Sequence, residues 1–399
     1  MNGRTRSIRA LTVLALGAVG LGAVAASSSA TADEVSGEGG GYADFSFDSS
    51  GATYTGTMEL GGGFPSAEFT TDSRAGSIGV ISGASTFLNP STPPGAFFGS
   101  SQNRPYLNLR PAADRPDAPS TTTYSFTSPT PSGGWGFVLG DIDADRIVIS
   151  ATDADGAPVS AEEFGFQGVF NYCGGSPSAC TPAEPVSLPS WNPQSLTLDG
   201  NPEAADTDGA AAWFRPAVSL TSLTFTYFQR SGLPIYQTWF ASIARDISGV
   251  VRGCTTDGTG PVAGATVTLL DASGRIVATT LTASDGSYGF RDYTAASYTV
   301  TLTAPDGCEG ITAADTDTSD SDQTVNFELT PEPVIPTPLP TTTPTGPLEG
   351  EAQTPSVDDD RLADSGPSAG AIGAMIAVAV VMMIGGAGLV RRRRTQESE

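Results

Sequence analysis

The stretch "LTFTYF", Leu223 to Phe228, places Leu223, Phe225 and Tyr227 on one side of an extended chain and Thr224 and Thr226 on the other. "ATVTL" (Ala265 to Leu269), "YTVTLT" (Tyr298 to Thr303) and "VNFEL" (Val325 to Leu329) repeat the pattern. A strict period of two, built from β-branched and aromatic residues, is the signature of a half-buried strand. Gly, Thr, Ser and Pro punctuate these segments, and between the chain's two ends no run of a dozen residues keeps an apolar stripe at helical spacing. The folded part is therefore expected to be all-β and built as sandwiches.

The composition divides this part in two. Residues 33–246 carry irregular strand signals separated by long polar loops and form the expected head, a large β-sandwich. Residues 247–330 carry tighter, more regular alternation and form a second, smaller sandwich. Residues 331–361, "PEPVIPTPLPTTTPTGPLEGEAQTPSVDDDR", hold eight prolines and cannot bury a core. Proline at that density favours extended polyproline II, so this disordered stalk reaches up to roughly 95 Å at about 3.1 Å per residue.

The two ends carry addressing signals. Arg4, Arg6 and Arg9, the apolar run Ala10 to Ala26 and the small residues Ala30-Thr31-Ala32 follow the order of a secretory signal peptide over residues 1–32. Asp33 is then the expected mature start. Near the other end, Ala369 to Val390 is a run of 22 uncharged residues followed by Arg391 to Arg394. As a helix it spans a hydrocarbon core of about 30 Å, and the arginines hold the C-terminus in the cytoplasm. One C-terminal transmembrane helix, with residues 33–368 outside the cell, is the resulting expectation.

Charge and residue usage narrow the chemistry. The formal net charge is −24, which makes nucleic acid and anionic membrane surfaces poor partners. There is no histidine, and all 19 basic residues are arginine. Histidine-based triads, histidine zinc sites and lysine Schiff bases are excluded, so any catalysis would rest on carboxylates, Tyr, Ser or Arg. The four cysteines of an exported chain are expected to form two disulfides. Of the three possible connectivities, Cys173 with Cys180 and Cys254 with Cys308 keeps each pair within one domain.

"ISGVVRGCTTDGTGPVAGATVTLLDASGRIVATTLTASDGSYGFRDYTAASYTVTL" resembles the Cna-B and SdrD B-like repeats of Gram-positive surface proteins and the similar carboxypeptidase regulatory-like domains. The resemblance is carried by Gly249, Pro261, Gly264-Ala265, the turn Asp271 to Gly274, Asp285-Gly286, Tyr288, Phe290, Tyr298 and Val300. It implies a seven-stranded prealbumin-like sandwich, a carbohydrate-binding-like fold, used as a rigid stalk unit. Many relatives cross-link themselves through a lysine isopeptide bond, which a chain without lysine cannot form. Cys254–Cys308 would close a loop of about 55 residues and stabilise by a few kcal/mol instead. The segment "DTDTSDSD" also resembles the Asp-rich calcium segment of B repeats, which makes Asp315, Asp317, Asp320 and Asp322 candidate calcium ligands; a solvated acidic loop is the alternative.

In the head, Asp141, Asp143 and Asp145 open like a calcium loop, but Arg146 stands where Gly is needed and Thr152 where a bidentate Glu belongs. Glu162-Glu163 forms no recognisable acid/base pair. Trp135, Trp191, Trp213 and Trp239 all fall in this domain, and Trp191, in the Pro-bounded "LPSWNPQ", is the candidate for stacking on a sugar ring.

"LADSG", Leu362, Ala363, Asp364, Ser365 and Gly366, precedes the apolar run and arginine cluster and resembles a sortase sorting signal of the L-P-x-T-G or L-A-x-T-G type, with Ser365 in place of Thr. The resemblance implies two partners, a sortase that cuts after Ser365 and the cell-wall peptidoglycan that receives the chain. A surface protein whose head binds a glycan or protein ligand is the leading expectation. A structural envelope component is the second, and a carboxylate-based glycoside hydrolase the third.

Overall fold

The computed structural model describes residues 35–333, apart from 38, 49–52, 74–78, 113, 114, 116, 176, 178, 179, 181–185, 204–208 and 255–259. The expected signal peptide, the Pro/Thr-rich segment beyond residue 333, the expected sorting motif and the apolar run lie outside the described residues. No helix among the described residues is long and apolar enough to cross a membrane.

Strand follows strand through this region. One sheet of the head runs in the order β12 (Ser190–Asn192), β13 (Thr197–Asp199), β10 (Arg146–Asp153), β15 (Leu220–Phe228), β8 (Ser120–Phe126), β5 (Ala67–Thr71), β4 (Tyr54–Glu59) and β3 (Asp44–Asp48). Its pairings are all antiparallel and its strands alternate, as β15 shows: Leu223, Phe225 and Tyr227 point inward and are fully buried. The facing sheet runs β11 (Phe166–Asn171), β14 (Ala210–Phe214), β9 (Trp135–Gly140), β16 (Tyr236–Ser242), β7 (Tyr106–Leu109) and β6 (Gly79–Ile81), with β2 (Gly41–Tyr42) also paired to β16.

The three central strands of this second sheet are buried on both faces. "WGFVLG", "AAAWF" and "YQTWFAS" are buried at every position, which is why none of them shows a strict alternation of apolar and polar residues. Inward, Phe137 stacks on Phe214 at 4.9 Å between ring centroids, and Tyr227 of the first sheet stacks on Tyr236 at 5.3 Å. Outward, Val138, Trp213 and Trp239 pack with Leu88, Phe98, Tyr106 and Tyr172. A third layer thus covers the sheet, fastened by the Cys173–Cys180 disulfide. Its helix α1 (Pro93–Phe98) is started by Thr92, whose Oγ1 accepts from Gly95 N at 3.2 Å, with a proline at the first turn. Gly95 is required there, because a Cβ would collide with the Asn89 carbonyl.

The second domain is a smaller sandwich. One sheet runs β1 (Val35–Ser36), β20 (Ser287–Thr294), β17 (Ala244–Gly253), β25 (Phe327–Pro331) and β22 (Cys308–Gly310), with β24 (Gln323–Thr324) also on β17. The other runs β19 (Ile276–Leu281), β18 (Thr266–Asp271), β21 (Ser297–Thr303) and β23 (Ala313–Asp317). Tyr288, Phe290, Tyr298, Val300, Phe327 and Leu329 share its core. The expected seven strands are therefore joined by short additions, of which β1 comes from before the head and runs parallel to β20, Val35 opposite Phe290. The all-β, two-sandwich architecture matches the expectation.

Candidate functional site

The acidic residues singled out in the sequence do not converge. Among the described residues no group of three or more His, Cys, Asp or Glu side chains is placed to hold a metal ion. Asp315 and Asp317 are exposed on β23 and bond to neighbouring hydroxyls, Asp315 to Thr299 Oγ1 at 2.7 Å and Asp317 to Ser297 Oγ at 3.4 Å. Asp317 also accepts from Ser319 N at 2.7 Å, and Asp322 accepts from Asp246 N at 3.1 Å. Strand β23 sends its alternate carboxylates outward while Asp320 and Asp322 follow beyond its end, so the four do not face one point.

The "DIDAD" run is not an extended segment. It turns between β9 and β10, with Asp141 at a φ of 64°, and Asp143 and Asp145 are 3% and 2% exposed. The Asp145 carboxylate accepts from Arg230 N at 2.6 Å, from Ser231 N at 3.3 Å and from the Tyr227 hydroxyl. Desolvation raises its pKa against those bonds. It fastens the loop after β15, while Asp199 on β13 pairs with Arg146 at 2.6 Å and Arg230 at 3.2 Å. Glu163 accepts from Ser160 N at 2.7 Å, a reciprocal turn bond that lowers its pKa.

Trp191 lies on a short strand rather than in a loop, because "SWN" pairs with β13. Its ring stacks on Phe166 at 5.6 Å and meets Phe214 edge-on at 5.1 Å. It is half-buried against the core, so one ring face is taken. Trp135 and Trp239 are fully buried and Trp213 nearly so. The cysteines pair as Cys173–Cys180 and Cys254–Cys308.

The feature that single-sequence patterning missed is the junction between the domains. Strand β16 of the head and β17 of the second domain are separated by Ile243 alone. Its N–H donates to Gly134 O of the head at 2.9 Å, and its carbonyl accepts from Ala295 N of the second domain at 3.1 Å. The residues that precede the head return to the second domain, where Gly37 N donates to Arg291 O at 2.8 Å and Gly39 N to Asp292 O at 2.5 Å. Tyr298, 2% exposed, accepts from Gly63 N of the head at 3.0 Å and donates to Thr294 O at 2.6 Å. Glycines line the contact for a steric reason. A Cβ at Gly63 would enter the Tyr298 ring, and one at Gly134 would meet the Ala295 methyl.

Two clefts flank this junction. One, of about 270 Å³, lies between Gly61, Gly62 and Gly63 and the turn Asp271 to Arg275, with Glu59 at its edge. The other, of about 320 Å³, is lined by Gly133, Gly134 and Gly165, Gln167, Arg215, Arg245 and Ser319 among others. A third opening, about 400 Å³, is a groove on the outer face of β3, β4 and β5 above Gly56 and Phe69.

Residues 251–335 match the family model described as SdrD B-like domain. No curated protein matches the chain. Among solved structures, a minor pilin of Streptococcus agalactiae is 12% identical, over 55% of this chain and 88% of that one, with a TM-score of 0.22. BcpA, the major pilin subunit of Bacillus cereus, is 11% identical over 75% and 97%, with a TM-score of 0.19. The shaft pilin SpaA of Lactobacillus rhamnosus GG is 12% identical over 48% and 100%, also at 0.19. TM-scores this low describe no shared arrangement of the whole chain.

Proposed function

We propose that this chain is an exported surface protein whose SdrD B-like domain is the upper segment of a stalk and whose head is held rigidly at its tip. The observation that carries the reading is the junction: one residue separates the domains, and the strand before the head is paired back onto the stalk domain. A display unit has to transmit load and hold orientation. Two backbone connections with buried bonds between them do both, whereas a single flexible linker does neither.

In this reading the Pro/Thr segment 331–361 is the spacer, and Leu362 to Gly366 with the apolar run is the anchor, cut by a sortase after Ser365 and passed to peptidoglycan. Mass spectrometry of wall-released protein tests it. A C-terminal Ser365 joined to peptidoglycan fragments is the expected result; an intact arginine tail in that fraction refutes the cutting, and a cytosolic mature chain refutes the whole reading.

A ligand-binding head is favoured by one surface. Across the outer sheet, Ser46, Thr57, Glu68, Ser125 and Ser222 stand opposite one another strand by strand, and Thr55, Thr70, Thr123, Thr224 and Ser150 form the next row. Hydroxyls both donate and accept, so such rows suit the hydroxyl groups of a neutral glycan. A glycan array probed with the purified protein tests this: selective binding lost on Thr57→Val and Thr70→Val supports it, and a blank array refutes it.

A further inference from the structure

The cleft at Arg215 and Arg245 has a charge that the rest of the molecule does not lead one to expect. The chain holds 43 acidic residues against 19 arginines. Yet among the described ion pairs none involves Arg215 or Arg245. The two guanidinium groups come from different domains, Arg215 from the head just after β14 and Arg245 from the first strand of the SdrD B-like domain, and both line one cleft. Burial lowers the Arg215 pKa, and the charge of Arg245 lowers it further.

Their hydrogen bonding leaves the cleft under-satisfied. Among the described residues Arg245 donates to neutral carbonyls, from Nε to Thr318 O at 3.3 Å and from Nη2 to Asp320 O at 2.7 Å. The Arg215 guanidinium carbon sits over the Phe97 ring, 3.9 Å from its centroid, a cation–π contact that uses none of its N–H donors as hydrogen bonds. Arg215 Nε and Ser319 Oγ are both buried polar atoms without a hydrogen-bond partner among the described residues, and both residues line this cleft. Ser319 is 3% exposed. Orphaned buried polar groups are costly and rare, so two on one cleft, beside two cations without a described carboxylate partner, call for an explanation.

We infer that this interdomain cleft is an oxyanion site, in which Arg215, Arg245 and Ser319 receive a phosphate or carboxylate group. Guanidinium forks match the spacing of such oxygens, and the Ser319 hydroxyl supplies a further donor. The one carboxylate on the lining, Asp320, leaves the cleft with net positive charge. Because the arginines belong to opposite domains, an occupant bridges the junction and tightens it. The inference goes beyond the surface reading and stands whether or not the chain is anchored to a wall.

The test is titration of the full chain with inorganic phosphate at constant ionic strength, balanced with chloride and read by calorimetry and by the thermal unfolding midpoint. Saturable binding and a midpoint that rises with phosphate are expected, both reduced at least tenfold in affinity by Arg215→Gln and by Arg245→Gln. Should either arginine variant fail to fold, Gln167→Glu decides. Gln167 is exposed on the rim, where its amide donates only to Gly165 O at 2.8 Å, so the added carboxylate costs one surface hydrogen bond and is expected to repel phosphate. Equal effects of chloride and phosphate, or phosphate binding unchanged in the variants, overturn the inference.

Discussion

Replacing Tyr298 by Phe removes one oxygen from the domain junction and leaves the ring in place. That hydroxyl accepts from Gly63 N at 3.0 Å and donates to Thr294 O at 2.6 Å, in a site 2% exposed. The substitution leaves Gly63 N–H, on the head, buried without this acceptor, and the Thr294 carbonyl short of one donor. An orphaned buried group costs about 1–3 kcal/mol. The expected loss is about 2 kcal/mol in total, or about 2–4 °C per kcal/mol in the midpoint.

Tyr288→Phe is the matched control. Its hydroxyl donates to Val325 O at 2.6 Å wholly inside the SdrD B-like domain. Denaturant unfolding followed by tryptophan fluorescence, which reports the head alone because all four tryptophans lie there, and by circular dichroism, which reports both domains, separates the two cases. In the parent protein the two signals are expected to coincide; in Tyr298→Phe they part, and in Tyr288→Phe the SdrD B-like domain weakens without a specific loss at the contact. A Tyr298→Phe loss below about 0.5 kcal/mol, with both signals still coincident, would refute the claim that this bond couples the domains.

Four other outcomes are expected. Substituting Cys254 and Cys308 by Ser opens a loop of 54 residues and is expected to cost about 4 kcal/mol from chain entropy, measured by denaturant midpoint. Gly249→Ala would drive a methyl into the Val325 carbonyl and is expected to abolish folding of the SdrD B-like domain, visible as loss of its cooperative transition. Trp191→Ala, by removing a ring held between Phe166 and Phe214, is expected to destabilise the head by about 2–4 kcal/mol, seen in its melting.

Asp271 gives the pH prediction. Burial alone would raise its pKa, but hydrogen bonds from Ser273 and Arg275 outweigh burial and hold it below the ordinary value. A depressed folded pKa contributes stability that is present above the unfolded value and lost as pH falls through the folded one. Asp271→Asn should therefore be less stable than the parent at pH 7, with the gap narrowing as pH is lowered from about 4, followed by melting across pH 2–7.

Local pattern sufficed wherever one face of a strand meets water. "LTFTYF" and "YTVTLT" state their inward residues by alternation, and Tyr288, Phe290, Tyr298 and Val300 fall in the core where the B-repeat resemblance puts them. Helix α1 was not read from the sequence, because six residues are too few to show a stripe. Alternation fails for "WGFVLG" and "YQTWFAS", since a strand covered on both sides has no polar face to mark its period. The candidate ligands are not brought together, for a related reason. A row of aspartates fixes spacing along the chain, while the direction of each carboxylate depends on turns such as that at Asp141.

The sequence by itself determined the all-β class, the place of the SdrD B-like domain and the exclusion of histidine and lysine chemistry, because each follows from which residues are present and how neighbours alternate. Only the tertiary structure decided that Val35, Ser36, Gly37 and Gly39 join the SdrD B-like domain rather than the head, that Gly63 receives Tyr298, and that Arg215 and Arg245 line one cleft. Gly63 and Tyr298 are 235 positions apart. Contacts at such separations are set by how two closed sandwiches fit together, and no local period in the chain encodes that fit.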